Sequence, residues 1–136
     1  MILVDTGPLV ALFDPRDDSH ARAKATLSGL TDQLVTTVPV LGEAFHLLGP
    51  ASRGADALRT FVAARGLRIW WLSERSLARS FRLMEDYGDH PMDLADASLV
   101  TAAEALRTTK IFTIDRRDFL AYRAKVGRSQ RAFTLV

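Results

Sequence analysis

The sequence predicts a single α/β domain over residues 1–136, with a mainly parallel central sheet of about four to five strands. Short apolar segments without alternation, such as Ile2–Val4, are typical of strands buried on both faces of a sheet. They alternate along the chain with longer segments of helical period, an order that produces a parallel sheet covered by helices on both faces. No linker, repeat or low-complexity segment interrupts this order, and 136 residues suffice to bury a core.

The first strand ends at Asp5, and the chain then turns into a helix over Pro8–Phe13. Gly7 gives the turn its flexibility, and proline suits a first helical position because no backbone N–H is needed there. Ligands bind at the carboxyl ends of strands in open α/β sheets. Asp5 is therefore either a helix cap or part of a ligand site, and the sequence leaves both open at this point.

The next elements are a helix from the cap residue Ser19 to about Ser28 and a strand over Leu34–Thr37. Pro39 opens a third helix, in which apolar residues cover most of the circumference. Glu43 breaks that pattern and is predicted to be at least partly buried. A buried carboxylate needs a proton, an opposite charge or a bound cation.

The remaining elements continue the alternation. We predict a helix over Ala55–Ala64, a strand over Leu67–Leu72, a helix from Ser73 to Gly88, an alanine-rich helix over Leu94–Leu106, a strand from Lys110 that ends at Asp115, a short helix over Asp118–Arg123 and an edge strand over Ala132–Val136. Asp115 thus repeats the opening pattern of an apolar strand followed by Asp. Trp70 and Trp71, in the third strand, either stack on bases or belong to the core or a dimer surface.

Charge is distributed unevenly along the chain. Residues 107–131 contain eight basic and two acidic residues, a net charge of +6, whereas the rest of the chain carries −4. This asymmetry indicates either a polyanionic partner or a solvated charged face.

Several classes of protein are excluded or disfavoured by what the sequence lacks. It has no cysteine, and therefore no disulfide, thiolate metal site or cysteine nucleophile. It also lacks a Gly-x-Ser-x-Gly elbow, a Gly-rich phosphate loop and a His-Glu-x-x-His zinc motif. No segment has the pattern of a signal peptide or the length of a membrane span, so we expect a cytoplasmic protein without membrane contact.

Four carboxylates lie where an apolar element ends or breaks its own pattern: Asp5, Glu43, Asp96 and Asp115. The acids that follow parallel strands meet at one edge of the sheet, and Asp96 shares a helix face with Asp93. Like charges about 4 Å apart repel by roughly 4 kcal/mol at an effective dielectric near 20, so such a cluster needs shared protons or bound cations. An all-oxygen site suits Mg²⁺ or Mn²⁺.

The same residues carry a family resemblance. Ile-Leu-Val-Asp5-Thr-Gly, Glu43 in an early helix, Asp96-Ala97-Ser-Leu-Val-Thr-Ala-Ala103 and Phe-Thr113-Ile-Asp115-Arg-Arg-Asp-Phe119 together resemble the PIN-domain ribonucleases, most closely the VapC-type toxins of toxin–antitoxin pairs. The resemblance covers essentially the whole chain and implies a PIN-like α/β/α fold. It also implies an RNA substrate, a homodimer and a cognate antitoxin.

The resemblance implies that Asp5, Glu43, Asp96 and Asp115 form a catalytic metal site, with Thr6 and Thr113 as nearby hydroxyl partners. Divalent ions at such a site lower the pKa of a bound water and stabilise charge on the phosphate. Two positions are ambiguous, since Asp93 precedes Asp96 and Asp118 follows Asp115. We predict that Asp96 is the ligand and Asp93 a supporting helix cap, because the cap position lies one turn earlier. Arg116 and Arg117 are predicted to bind substrate phosphates at the rim.

The leading prediction is therefore a metal-dependent endoribonuclease acting as a toxin. The alternative is a non-catalytic nucleic-acid-binding domain, in which the basic end binds and the carboxylates are caps and ion-pair partners. A phosphotransfer protein ranks lower. A phosphatase of the haloacid-dehalogenase type has a second Asp where this chain has Gly7, and a receiver domain needs an acidic pair ahead of its phosphorylated Asp.

Overall fold

A parallel five-stranded sheet forms the centre of the molecule, and the computed structural model describes residues 1–136. The strands of this sheet are β1 (Ile2–Val4), β2 (Leu34–Thr36), β3 (Arg68–Ile69), β4 (Lys110–Phe112) and β7 (Thr134–Leu135). Seven helices connect and cover them: α1 (Thr6–Phe13), α2 (His20–Ser28), α3 (Val38–Leu48), α4 (Arg53–Ala63), α5 (Glu74–Asp86), α6 (Leu94–Leu106) and α7 (Arg116–Ala121). This architecture confirms the predicted fold class. None of the helices combines the length and the apolar character needed to cross a membrane.

The strand order is β3-β2-β1-β4-β7, and every neighbouring pair is parallel. β1 lies in the middle and is buried on both faces, as its unbroken run of apolar residues predicts. The chain moves from β1 outward through β2 and β3, and then returns to place β4 on the other side of β1. The order of the strands therefore reverses at β1, and the crevice outside this reversal is where open α/β sheets bind their ligands.

A second, two-stranded sheet was not predicted. β5 (Arg123–Val126) and β6 (Ser129–Ala132) form an antiparallel hairpin. Its first strand alternates exposed and buried residues, with Ala124 and Val126 facing the core. The predicted helix at Asp118–Arg123 is in fact α7, two residues earlier, and the last strand is shorter than predicted.

The hairpin is attached to α6 through Glu104. The carboxylate of this residue accepts two hydrogen bonds from Arg79 of α5, at 2.9 and 3.0 Å, and one at 2.7 Å from the backbone N–H of Lys125 in β5. Glu104 therefore links α6 to both α5 and the hairpin. Its bidentate bond with Arg79 is charge-assisted, and bonds of this kind are among the stronger ones in proteins.

The third strand is also shorter than predicted. Only Arg68 and Ile69 pair with β2, at the edge of the sheet. Trp70 packs against the core, whereas Trp71 is 72% exposed. The two adjacent tryptophans therefore have different environments, and Trp71 is a surface residue.

The junction between α1 and α4 depends on Gly54. A Cβ atom at this position would lie 2.6 Å from the carbonyl oxygen of Phe13 and 2.9 Å from the side chain of Leu48. The first of these contacts is with backbone, which does not move aside easily. Glycine is therefore required for α4 to start against the end of α1.

Candidate active site

Asp5 lies at the end of β1, directly before α1. Its Oδ1 accepts a hydrogen bond of 2.8 Å from the backbone N–H of Thr6, so Asp5 does cap the helix. Its Oδ2 accepts a second bond of 2.9 Å from the hydroxyl of Thr113. Capping therefore accounts for only one of the two oxygens, and the carboxylate is held in a fixed orientation from both sides.

Thr113 reaches Asp5 because of the register between β1 and β4. Val4 pairs with Phe112, which places the next residues of the two strands, Asp5 and Thr113, beside each other. Thr113 is buried, and its hydroxyl also lies 3.2 Å from the carbonyl oxygen of Asp115.

Asp115 does not end β4, contrary to the prediction. The strand stops at Phe112, and Asp115 follows two residues after Thr113 as the residue before α7. Its side chain makes no capping hydrogen bond and is exposed. It is thus a free carboxylate beside the end of β4.

Asp93 and Asp96 have different roles at the start of α6. Asp93 is the N-cap residue, and its carboxylate accepts a bond of 2.8 Å from the backbone N–H of Asp96. Asp96 makes no capping bond. Its Oδ2 instead accepts a bond of 3.2 Å from the hydroxyl of Tyr122. The predicted structural role of Asp93 as a helix cap is confirmed.

Tyr122 was not predicted to be near the site. It is fully buried, and its hydroxyl lies 3.3 Å from the carbonyl oxygen of Pro91 as well as next to Asp96. Its ring makes edge-to-face contacts with Phe119 and with His90, whose Nε2 is 2.9 Å from Oδ1 of Asp118. No local sequence signal marks Tyr122, because its proximity to Asp96 depends on how α7 packs against the start of α6.

The carboxylates converge on one open cleft of about 510 Å³ at the end of β1. Eight acidic residues and no basic residue line it: Asp5, Asp17, Asp18, Glu43, Asp93, Asp96, Asp115 and Asp118. The structure thus brings the four predicted acids together with both ambiguous ones. Thr6 also lines the cleft, whereas Thr113 lies behind Asp5.

Asp17 and Asp18 are the acids of the cleft that the sequence did not predict. They precede α2, where negative charge is favourable for the helix dipole, and Asp17 also accepts a hydrogen bond of 2.8 Å from the backbone N–H of Ser19. Their approach to Asp5 depends on the path of the connection between α1 and α2, which no residue pattern specifies.

Glu43 is less buried than predicted: it is an exposed residue of α3, although partial burial, followed by the charge of Asp93, raises the pKa of its carboxyl. The apolar residues of this helix are not all buried either: Leu47 is 58% exposed and also lines the cleft, and Val38 is 44% exposed. Burial of α3 is concentrated at Val40 and Ala44. Glu43 therefore contributes a carboxylate to the wall of the cleft rather than to the core.

Neither Arg116 nor Arg117 lines the acidic cleft. Both are exposed in the first turn of α7. Arg116 lines a smaller neighbouring cavity together with Arg22 of α2.

The electrostatic environment raises the pKa of several of these acids. Burial, opposed by the hydrogen bonds from Thr6 and Thr113, raises the pKa of Asp5 to about 6, with a further contribution from the charges of Glu43 and Asp93. Burial raises the pKa of Asp96 to about 8, with repulsion from Asp93 and Asp5 as the next causes. The cleft therefore contains more negative charge than its surroundings neutralise.

Burial, followed by the charge of Asp96, raises the pKa of Tyr122 far above its usual range. Its hydroxyl therefore keeps its proton at all ordinary pH values and remains a donor to Asp96.

The donor set suits a hard divalent cation. All the candidate ligands are carboxylate oxygens, and the hydroxyl of Thr6, buried in the wall of the cleft, has no hydrogen-bond partner in the protein. No three acidic or histidine side chains form a preassembled cage for an ion. Mg²⁺ does not require one, because it keeps several waters and binds to one or two carboxylates plus substrate phosphate.

Comparison with known proteins identifies relatives over most of the chain. The sequence profile of the PIN domain family matches residues 2–125. Ribonuclease VapC26 of Mycobacterium tuberculosis (strain ATCC 25618 / H37Rv) is 32% identical over 126 residues, which cover 90% of this chain and 92% of the relative.

Two solved structures have the same fold at lower sequence identity. The crystal structure of VapC20 from Mycobacterium tuberculosis, a Sarcin-Ricin loop cleaving toxin, superposes with a TM-score of 0.81 at 18% identity, covering 96% of this chain and 100% of that one. A toxin–antitoxin complex from Klebsiella pneumoniae gives a TM-score of 0.67 at 24% identity, covering 89% of this chain and 92% of that one.

Proposed function

The chain belongs to the PIN domain family, and from this premise we propose that it is a metal-dependent endoribonuclease that acts as the toxin of a toxin–antitoxin pair. The observation that carries the proposal is the cleft at the end of β1, where eight carboxylates converge without a basic side chain. Such a concentration of like charge is unfavourable unless protons or cations offset it. The similarity to Ribonuclease VapC26 supports RNA as the substrate.

We assign the acidic ligands to Asp5, Glu43, Asp96 and Asp115, with Mg²⁺ or Mn²⁺ as the cation. When bound, the ion supplies a water of lowered pKa and a counter-charge for the phosphate. Thr113 and the N–H of Thr6 fix the two oxygens of Asp5, and Thr6 contributes a free hydroxyl to the cleft wall.

The residues around Asp96 hold it in place. Tyr122 donates to its Oδ2, and Asp93 fixes the first turn of α6 through the N–H of Asp96. With no cation present, Asp96 carries a proton at neutral pH, because its pKa is raised to about 8. Cation binding therefore has to displace this proton, so metal affinity is expected to rise with pH.

The partners are proposed by the same reasoning. They are an RNA substrate, held in part by Arg116 and Arg117, a cognate antitoxin and a second copy of this chain, all in the cytoplasm. The toxin–antitoxin complex with the same fold supports an antitoxin partner.

The test is RNA cleavage by metal-depleted protein, with and without added Mg²⁺ or Mn²⁺. We expect cleavage only with the metal, and loss of cleavage in Asp96→Asn. Asp86→Asn is the matched control, since Asp86 is an exposed acid of α5 that does not line the cleft. Full cleavage in excess chelator would contradict the metal requirement. RNA binding without cleavage under every metal condition would instead favour the non-catalytic nucleic-acid-binding domain.

A further inference from the structure

Next to the acidic cleft lies a smaller cavity of about 130 Å³ with the opposite charge. It is formed between α2 and the segment that joins β4 to α7. Arg22 and Thr26 line it from one side, and Thr113, Ile114 and Arg116 from the other. No Asp or Glu side chain lines it, although Val136, the last residue of the sequence, also borders it. We call it the arginine cavity.

Neither guanidinium group of this cavity is neutralised. Arg22 and Arg116 take part in none of the ion pairs of the structure, which involve Met1, Arg16, Arg59, Arg79, His90 and Lys110 as the cations. Two guanidinium groups without an ionic partner in the protein thus border one small cavity, and both are available to an anion. Guanidinium groups match the geometry of phosphate oxygens and bind them through paired N–H donors.

The arginine cavity continues directly from the acidic cleft. Ile114 lines both, and Thr113 lines the arginine cavity while its hydroxyl donates to Asp5. Asp18, two residues before α2, lines the cleft, and Arg22, in the first turn of α2, lines the cavity. These two residues are four positions apart in the sequence. A chain of phosphates that enters the cleft can therefore place a neighbouring phosphate between the two arginines.

We propose that the arginine cavity binds one phosphate of the RNA strand next to the phosphate that is cleaved, with Arg22 and Arg116 as its ligands. This inference rests on the proposed function and adds Arg22 and Thr26 to the substrate-binding surface. Since the contacts are to phosphate, they position the strand without reading its sequence.

The test measures binding of a single-stranded oligoribonucleotide at a series of KCl concentrations. Asp96→Asn serves as the background, because it is expected to prevent cleavage of the RNA during the binding measurement. In this background we compare Arg22→Gln, Arg116→Gln and the double variant. The control is Arg75→Gln, an exposed arginine of α5 that lines neither site and forms no ion pair.

The number of phosphates held determines the expected result. If both arginines hold the same phosphate, the slope of log K against log salt falls by about 0.7 in the double variant, not by twice that amount. Affinity at low salt falls roughly tenfold, the loss expected when charge-assisted hydrogen bonds to one phosphate are removed. Arg75→Gln leaves the slope and the affinity unchanged. Unchanged binding in the double variant overturns the proposal, as does an equal loss in the control.

Cleavage of the same RNA by the otherwise unaltered enzyme separates this inference from the proposed function. If the otherwise unaltered enzyme cleaves the RNA and the double variant binds it normally, only the proposed phosphate site is overturned. Absence of cleavage overturns the nuclease function, and the binding series then decides the phosphate site by itself. Thermal unfolding of each variant verifies that the exposed substitutions leave the fold intact.

Discussion

Replacing Asp96 with Asn is expected to stabilise the metal-free protein while abolishing its activity. Asn keeps the shape of the side chain and an oxygen that accepts the bond from Tyr122, but it removes the ionisation. The pKa of Asp96 is raised from 3.8 to about 8 in the folded protein. Below pH 3.8 the carboxyl is protonated in both the folded and the unfolded chain and has no effect on stability.

Between pH 3.8 and 8 the unfolded chain releases this proton, whereas the folded chain retains it. Stability therefore falls as the pH rises through this range, and the loss is complete above pH 8. The full difference in pKa corresponds to about 6 kcal/mol. Because the cleft is open and water screens its charges, we expect about a third of that, ~2 kcal/mol. For a chain of this length, this amounts to a rise in Tm of about 6 °C for Asp96→Asn at pH 8.5.

The assay is thermal unfolding of the wild type and Asp96→Asn in chelator, at pH 4 and at pH 8.5. The two proteins should be equally stable at pH 4 and differ at pH 8.5. With Mg²⁺ or Mn²⁺ at 100 times its Kd, the free energy of unfolding of the wild type should rise by about 2.7 kcal/mol, and that of the variant should not.

Asp93→Asn is the control, since Asn caps helices nearly as well as Asp. This variant should lose at most about 1 kcal/mol of unfolding free energy and should retain activity. An Asp96→Asn protein less stable than the wild type at pH 8.5 in chelator would refute the electrostatic reasoning. If Asp96→Asn were active and Asp93→Asn inactive, Asp93 would be the metal ligand and Asp96 would not.

Two further substitutions test how the site and its scaffold are held. Thr113→Val removes the hydroxyl that donates to Asp5, so the pKa of Asp5 should rise further and its metal affinity should fall about tenfold at neutral pH, as measured by calorimetry. Gly54→Ala should lower the free energy of unfolding in urea by at least about 2 kcal/mol, because the added Cβ meets the carbonyl of Phe13. Gly42→Ala, in the middle of α3, adds a Cβ that meets no atom within 4 Å and should raise the free energy of unfolding by up to about 1 kcal/mol. Equal effects at the two glycines would show that the close approach of α1 and α4 is not rigid.

The central part of the fold follows from the sequence because local and tertiary preferences agree there. Ile2–Val4 and the apolar residues of Lys110–Phe112 have no polar face, and short β-branched segments of this kind suit the interior of a parallel sheet. The prediction that Asp5 and Asp115 share one edge depends only on this parallel arrangement. The structure places both in the cleft, although Asp115 follows the end of β4 at a greater distance than predicted.

The hairpin formed by β5 and β6 could have been detected from its first strand and turn. Arg123–Val126 alternates polar and apolar residues, and Gly127 follows with a φ of +64°, as a tight turn requires. This part of the chain is also rich in basic residues, which suit an exposed strand as well as a charged loop. β6 itself has no buried residue and so lacks a hydrophobic signal.

The environment of Glu43 could not be derived from its helix alone. The apolar residues of α3 surround the helix, and sequence cannot show which of them other elements cover. Since Val38 and Leu47 remain exposed, the face that contains Glu43 opens into the cleft. The same limit applies to Tyr122, which belongs to the site only through packing.

The central position of β1 also determines when the site can exist during synthesis. Asp5 is among the first residues made, yet its partner Thr113 follows 108 residues later. At about 5–20 residues per second, the ribosome needs roughly 5 to 20 s to bridge this interval. Throughout that time the nascent chain lacks β4, and the carboxylates that must converge are on separate, incomplete pieces. The proposed ribonuclease activity is thereby withheld until translation of the chain is nearly finished.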